Sequence, residues 1–311
     1  MPGIFTISTK TQLFIASILL SLILIAGCVL PVPSSNNTAA QDTIRSTRVL
    51  NATNGSYSVN ATVPVVTGTL MVYTLEKPSY SKEWVSSLAE KLRMSGDVRE
   101  VEGSFLANIS DEKKFYFWVE KDVKRILYIQ KGGFSSGNMT EAEAVAFAQE
   151  FLKSVDLMPD ATEPRVAYNT AETFSRSSGQ ASQSLKEAVV VFNRRINGLP
   201  AWGSSSMITV GPNGNIVGLF IFWPDYQPYK TVSLISPDQA FNEFQTRKLD
   251  FSYYEPSISP EKIEVTAITL GYSTSGGKYY RPVYLFKGYG QQGNETQEFL
   301  TEIPATDENF E

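Results

Sequence analysis

The chain has 311 residues, 42% of them apolar and 19% charged, with a formal net charge of −5. This is the composition of a folded globular chain, and the absence of a basic stripe argues against nucleic acid and anionic lipid headgroups as partners. There is no histidine and only one cysteine, which excludes Ser-His-Asp and Cys-His catalysis, an ordinary catalytic zinc site and any intrachain disulfide; neither a metal nor a cofactor is expected.

The N-terminus sets the address. Lys10 is followed by LFIASILLSLILIAGCVL from Leu13 to Leu30, an uncharged run with small residues near its end. A basic start, an apolar stretch and small residues make an export signal. The run Leu24-Ile25-Ala26-Gly27-Cys28 resembles the lipobox of prokaryotic lipoproteins. The resemblance implies cleavage before Cys28, leaving residues 1–27 as signal peptide and a diacylglycerol on the Cys28 thiol. An uncleaved transmembrane helix is the alternative, since the run is just long enough to span a bilayer. Either way the body lies on the extracytoplasmic face of the membrane.

Asn36, Asn51, Asn54, Asn60, Asn108, Asn138 and Asn294 each begin an N-x-S/T sequon, the acceptor pattern for N-glycosylation. Four of them crowd into residues 36–62; if they are used, an archaeal cell surface fits better than a typical bacterial one. Residues 28–63 are small, polar and rich in turn formers, which reads as a flexible stalk.

From Val65 the pattern becomes periodic. Val65–Leu75 reads as a strand, and Ser81–Met94 as a helix with Trp84, Val85, Leu88 and Leu92 on one face. Strand-like runs follow at Val98–Ile109, Phe115–Glu120 and Arg125–Gln130. Thr140-Glu-Ala-Glu143 is a capping box, opening a helix to about Val155. Strands are expected near Arg165–Phe174, Glu187–Arg195, Ser206–Val210 and Ile216–Trp223, the last two joined by a hairpin turn at Asn213-Gly214. Ser236-Pro237-Asp238-Gln239 is a second capping box, with strands to follow near Ile263–Tyr272, Arg281–Gly288 and Glu298–Pro304. The expected fold class is therefore α+β: repeated helix plus antiparallel-strand units, with helices packed on antiparallel sheets. One unit would occupy residues 64–135 and a double unit residues 136–311.

Residues 185–224 (LKEAVVVFNRRINGLPAWGSSSMITVGPNGNIVGLFIFWP) resemble the PepSY-like module of secreted-protease propeptides and bacterial surface proteins. They are similar also to the YycH/YycI regulatory proteins, membrane-anchored partners of a cell-wall sensor kinase. The shared features are Ile196-Asn197-Gly198-Leu199-Pro200, a strand ending at Val210, a turn with Asn213-Gly214 and a returning strand ending in Trp223. The resemblance extends over about 140–305. It implies a binding role toward a protease or an envelope partner, and it carries no catalytic residues.

Trp202, Phe220, Phe222, Trp223, Tyr226 and Tyr229 gather in one short stretch. They form a candidate binding ledge for a peptide or a sugar, with core packing as the alternative. Arg194-Arg195 reads as a solvated strand end, and Glu141 with Glu143 as helix-capping carboxylates rather than a catalytic pair. The sequence therefore points to a surface-anchored, non-catalytic lipoprotein that binds an extracytoplasmic protein or peptide. A carbohydrate- or envelope-binding module is the second reading, and a two-carboxylate hydrolase the third.

Cys28→Ser is expected to leave an unprocessed precursor of higher apparent mass that takes up no labelled lipid. Identical migration of variant and parent, with neither lipidated, would make the N-terminus an uncleaved helix instead.

Overall fold

The computed structural model describes residues 44–94, 97–107, 115–130, 138–159, 164–174, 181–247, 249, 259–274 and 277–310. Strands β1 (Ile44–Asn54), β2 (Tyr57–Val66) and β3 (Thr69–Leu75) precede helix α1 (Lys82–Lys91). Strands β4 (Val98–Val101), β5 (Ser104–Ala107), β6 (Phe115–Glu120) and β7 (Arg125–Gln130) lead to helix α2 (Glu141–Ser154). Then come β8 (Arg165–Phe174), β9 (Ala181–Ile196), β10 (Leu199–Val210), β11 (Ile216–Phe222) and β12 (Tyr226–Ser233). Helix α3 (Pro237–Thr246) and strands β13 (Lys262–Ser273), β14 (Tyr279–Gln292) and β15 (Glu295–Pro304) complete the body.

Each helix starts where a side chain satisfies its free backbone amides. The Ser81 hydroxyl accepts from the Trp84 amide at 3.2 Å. Thr140 with Glu143, and Ser236 with Gln239, form reciprocal capping boxes, the latter with a proline in the first turn.

The strands pair into a single hydrogen-bonded network of 15. One region is antiparallel throughout, in the order β4-β5-β6-β7-β11-β10-β9-β8. A second runs β1-β2-β13-β14-β15, with β2 and β13 parallel. β12 and β3 form a ribbon that continues onto Tyr279 and Tyr280 of β14. Ala201 and Trp202 of β10 pair in parallel with Tyr272 and Ser273 of β13, which joins the regions.

This architecture corrects the expectation of repeated helix-plus-antiparallel-strand units. The chain is one large mixed sheet with three short helices among its described residues. Sequence periodicity reports an element and its buried face, but not the pairings β7–β11, β10–β13 and β2–β13 that fuse the strands. Part of the stretch read as a stalk is also ordered. β1 and β2 form a hairpin, and the alternation in β2 explains it, because Val59, Ala61 and Val63 point into the core.

Two apolar cores result. Helices α1 and α2 cover one face of the eight-stranded region through Val85, Leu88, Ala144, Ala148 and Leu152, which pack against Phe117, Tyr128, Val190, Ile208 and Leu219. Helix α3 buries Ala240, Phe241 and Phe244 against Val59, Val265, Phe286 and Phe299 of the five-stranded region. At Gly288 the strands approach so closely that an added Cβ would lie 1.9 Å from the Glu264 carbonyl oxygen, beside a bulge at Val265.

The two hairpins of the middle segment use different turns. Asn197 (φ 50°) and Gly198 (φ 78°) are both left-handed and connect Ile196 to Leu199, the two-residue arrangement that suits a type I′ turn. Residues 206–222 pair antiparallel as expected, but Gly214 alone takes a positive φ there. Its turn is longer, closed by the Gly214 amide donating to the Gly211 carbonyl at 2.9 Å.

Candidate interaction surface

The aromatic residues singled out in the sequence do not form one ledge. Trp223 is buried in the core under α1 and α2. Tyr226 joins Tyr73 and Tyr280 at the junction of the two regions, with ring centroids 4.9 and 5.5 Å away. Tyr229 is exposed and lies 5.1 Å from Tyr279. Trp202 is half-buried over Gly271, where its ring fills the space a Cβ would need. Phe220 and Phe222 stand on the face of the eight-stranded region opposite α1 and α2. The scatter follows from strand alternation: neighbours such as Phe222 and Trp223 point to opposite faces.

Sequence reasoning missed the residue that organises the junction. Arg194, read as a solvated strand end, is only 3% exposed. Its guanidinium lies 5.0 Å from the Trp223 ring centre, 4.7 Å from Tyr226 and 5.5 Å from Tyr280. It donates to the Pro224 carbonyl and, at 3.0 Å, to the Tyr280 hydroxyl, which also hydrogen-bonds Ser204. The signal available in the sequence was the apolar stretch Ala188–Phe192 immediately before it, followed by Ile196, which puts position 194 on the buried face by alternation. Around this cage the Asn197 carboxamide donates to the Tyr73 hydroxyl at 2.6 Å.

On the other face of the eight-stranded region Met207 (9% exposed), Val191 (8%) and Val189 (7%) are buried, and Trp118, Leu127 and Phe220 are half-buried. Register places Trp118, Leu127, Phe220, Met207 and Val191 in one continuous cross-strand row. A second row carries Tyr116, Ile129, Gly218, Thr209 and Val189. No described helix lies on this face: α1 and α2 pack on the opposite one and α3 on the five-stranded region. Its rim is polar and internally paired. Arg125 donates to Glu120 at 2.8 Å while lying over the Phe222 ring, and Asn169 donates to Glu187 at 2.6 Å.

A separate cleft of about 390 Å³ lies between the end of α1, α2 and the β10–β11 turn, with Arg93, Tyr128, Phe147, Phe151 and Asn215 among its walls. Among the described residues no group of three or more Asp, Glu, His or Cys side chains stands together to hold a metal. Glu143 is held below the usual carboxylate range by the Thr140 backbone amide and hydroxyl, in keeping with a cap. Cys28, Asn36 and Asn108 lie outside the described residues. Asn51, Asn54, Asn60, Asn138 and Asn294 are all exposed. No described helix is long and apolar enough to cross a membrane.

No known family model and no curated protein sequence matches the chain. Among solved structures it is similar to the C-terminal domain of Bacillus megaterium YpeB, at 14% identity and a TM-score of 0.33, covering 73% of this chain and 94% of that one. At that score the likeness decides neither the fold nor the function.

Burial raises several tyrosine hydroxyls. Tyr128 is pushed up to about 12, and Tyr80, Tyr272, Tyr280 and Tyr284 are also raised, with burial the largest cause in each. The folded chain thus keeps protons that the unfolded chain, titrating from the ordinary value of 10.0, releases. This stabilisation is complete below that value and is lost as pH rises through the folded values. With no histidine to titrate near neutrality, the urea midpoint is expected to stay level from about pH 6 to 9 and to fall above about pH 10. A midpoint that already declines between those first two values would contradict the assignment.

Proposed function

We propose that this protein is a non-catalytic binding protein, held at the cell surface by its N-terminus, that takes an extracytoplasmic protein partner on the face of its eight-stranded region opposite α1 and α2. The row Trp118–Leu127–Phe220–Met207–Val191 carries the reading. An apolar centre with a paired, polar rim is the anatomy of a protein interface, and a tryptophan, here Trp118 at one end of the row, is a favoured anchor. The contact residues are mostly aliphatic. A sugar instead needs exposed flat rings, and Tyr116, Trp118, Phe220 and Phe222 on this face are half-buried or buried, which favours a protein over a glycan. The lipobox-like run ending at the lone Cys28 supports the anchor, and the lack of histidine supports the absence of acid–base catalysis near neutrality.

A photo-crosslinking residue in place of Phe220, in the full chain in its native envelope, tests this reading. Leu300, 39% exposed on the five-stranded region, is the control position. A discrete protein adduct is expected from 220 and not from 300. No adduct from 220, or the same adducts from both positions, would contradict the proposal.

A further inference from the structure

N-glycosylation needs an asparagine carboxamide at the surface and an accessible Ser or Thr hydroxyl two residues on. The sequon asparagines among the described residues are all exposed, as are Asn169, Asn213, Asn242 and Asn309, which begin no sequon. The partner hydroxyls then divide the set. Thr53, Ser56, Thr62 and Thr296, serving Asn51, Asn54, Asn60 and Asn294, are exposed. Thr140, serving Asn138, is exposed as well but spends its hydroxyl on the α2 cap, donating to the Glu143 carboxylate at 2.8 Å and accepting from the Glu143 amide at 3.3 Å.

The four sequons other than that of Asn138 also share one place. Asn54 and Ser56 flank the β1–β2 turn at Gly55, and Asn294 sits in the β14–β15 turn. Tyr57 pairs with Ile263, Ile263 with Gly290 and Gly290 with Gln297, so both turns leave the five-stranded region at the same end. Asn51 and Asn60 are directly opposite one another in the hairpin, on the side away from the core, because Leu50 and Ala61 point inward. β1 enters at the other end, about 33 Å away at ~3.3 Å per residue.

We propose that this end of the five-stranded region is a glycan-bearing pole, modified at Asn51, Asn54, Asn60 and Asn294, and that Asn138 stays bare. The donor class is a lipid-linked oligosaccharide phosphate or pyrophosphate. The carboxamide nitrogen attacks C1 of the first sugar and a C1–N bond forms. The C1–O bond to phosphate breaks, the phosphate leaves with its electron pair, and the carboxamide loses one proton. This inference stands independently of the docking face.

The test is peptide mapping by mass spectrometry of the full protein taken from its native membrane, with Thr62→Ala and Thr296→Ala variants that keep both asparagines. Sugar mass is expected on peptides containing Asn51, Asn54, Asn60 and Asn294, and none on Asn138. Each variant should lose one glycan and keep the parent's urea midpoint. Unmodified peptides at all four sites in the native protein would overturn the proposal, and occupancy at Asn138 equal to that at Asn294 would overturn the role of the hydroxyl.

Discussion

The crossing of the β9–β10 hairpin between two cores is the constraint on which the rest of the body depends, and Arg194 makes it possible. Ala188, Val190 and Phe192 of β9 belong to the core under α1 and α2, while Ile196, Leu199 and Ala201 belong to the core under α3. Between them a ladder slip separates Ala201 from Ser205, with Gly203 at φ 80°. On the near side of that slip Ala201 and Trp202 also pair with Tyr272 and Ser273 of β13. A kinked ladder in a dry place leaves polar groups to satisfy. The guanidinium satisfies the Pro224 carbonyl and the Tyr280 hydroxyl, and its faces stack on rings contributed by β12 and β14 and by the residue after β11.

The arrangement divides labour between surfaces. Helices close one face of each region, and the five-stranded region turns a polar side to water, where Asn60, Glu264 and Glu298 alternate with buried neighbours. The eight-stranded region does not follow that pattern. Its β11 strand, Ile216–Phe222, is apolar on both faces, although the described helices cover only one. An apolar face without a covering element is costly in water unless something else shields it, which is the physical basis for placing a partner there.

Much of the local structure was legible in the sequence. The capping boxes at Thr140 and Ser236 marked two helix starts to the residue, because a cap is a short-range hydrogen-bond pattern. The runs Phe115–Glu120 and Arg125–Gln130 were legible as strands for the same local reason. Long-range pairing was not, since a parallel contact such as Val59 with Val265 leaves no mark at either position. Val98–Ile109 reads as one strand because a tight turn at Gly103 hardly interrupts its apolar pattern. The aromatic cluster misled because closeness in sequence becomes opposition across a sheet. Arg194 was hidden by its charge, which ordinarily signals solvent.

Whether Arg194 couples the two cores is best measured by equilibrium urea unfolding of Arg194→Met, followed with probes in each core. Methionine keeps an apolar stem but leaves the Pro224 carbonyl and the Tyr280 hydroxyl without their donor. The account predicts a loss of about 2 kcal/mol or more, with the two cores no longer unfolding in one coincident transition. A variant within about 0.5 kcal/mol of the parent, still unfolding in a single coincident step, would contradict it.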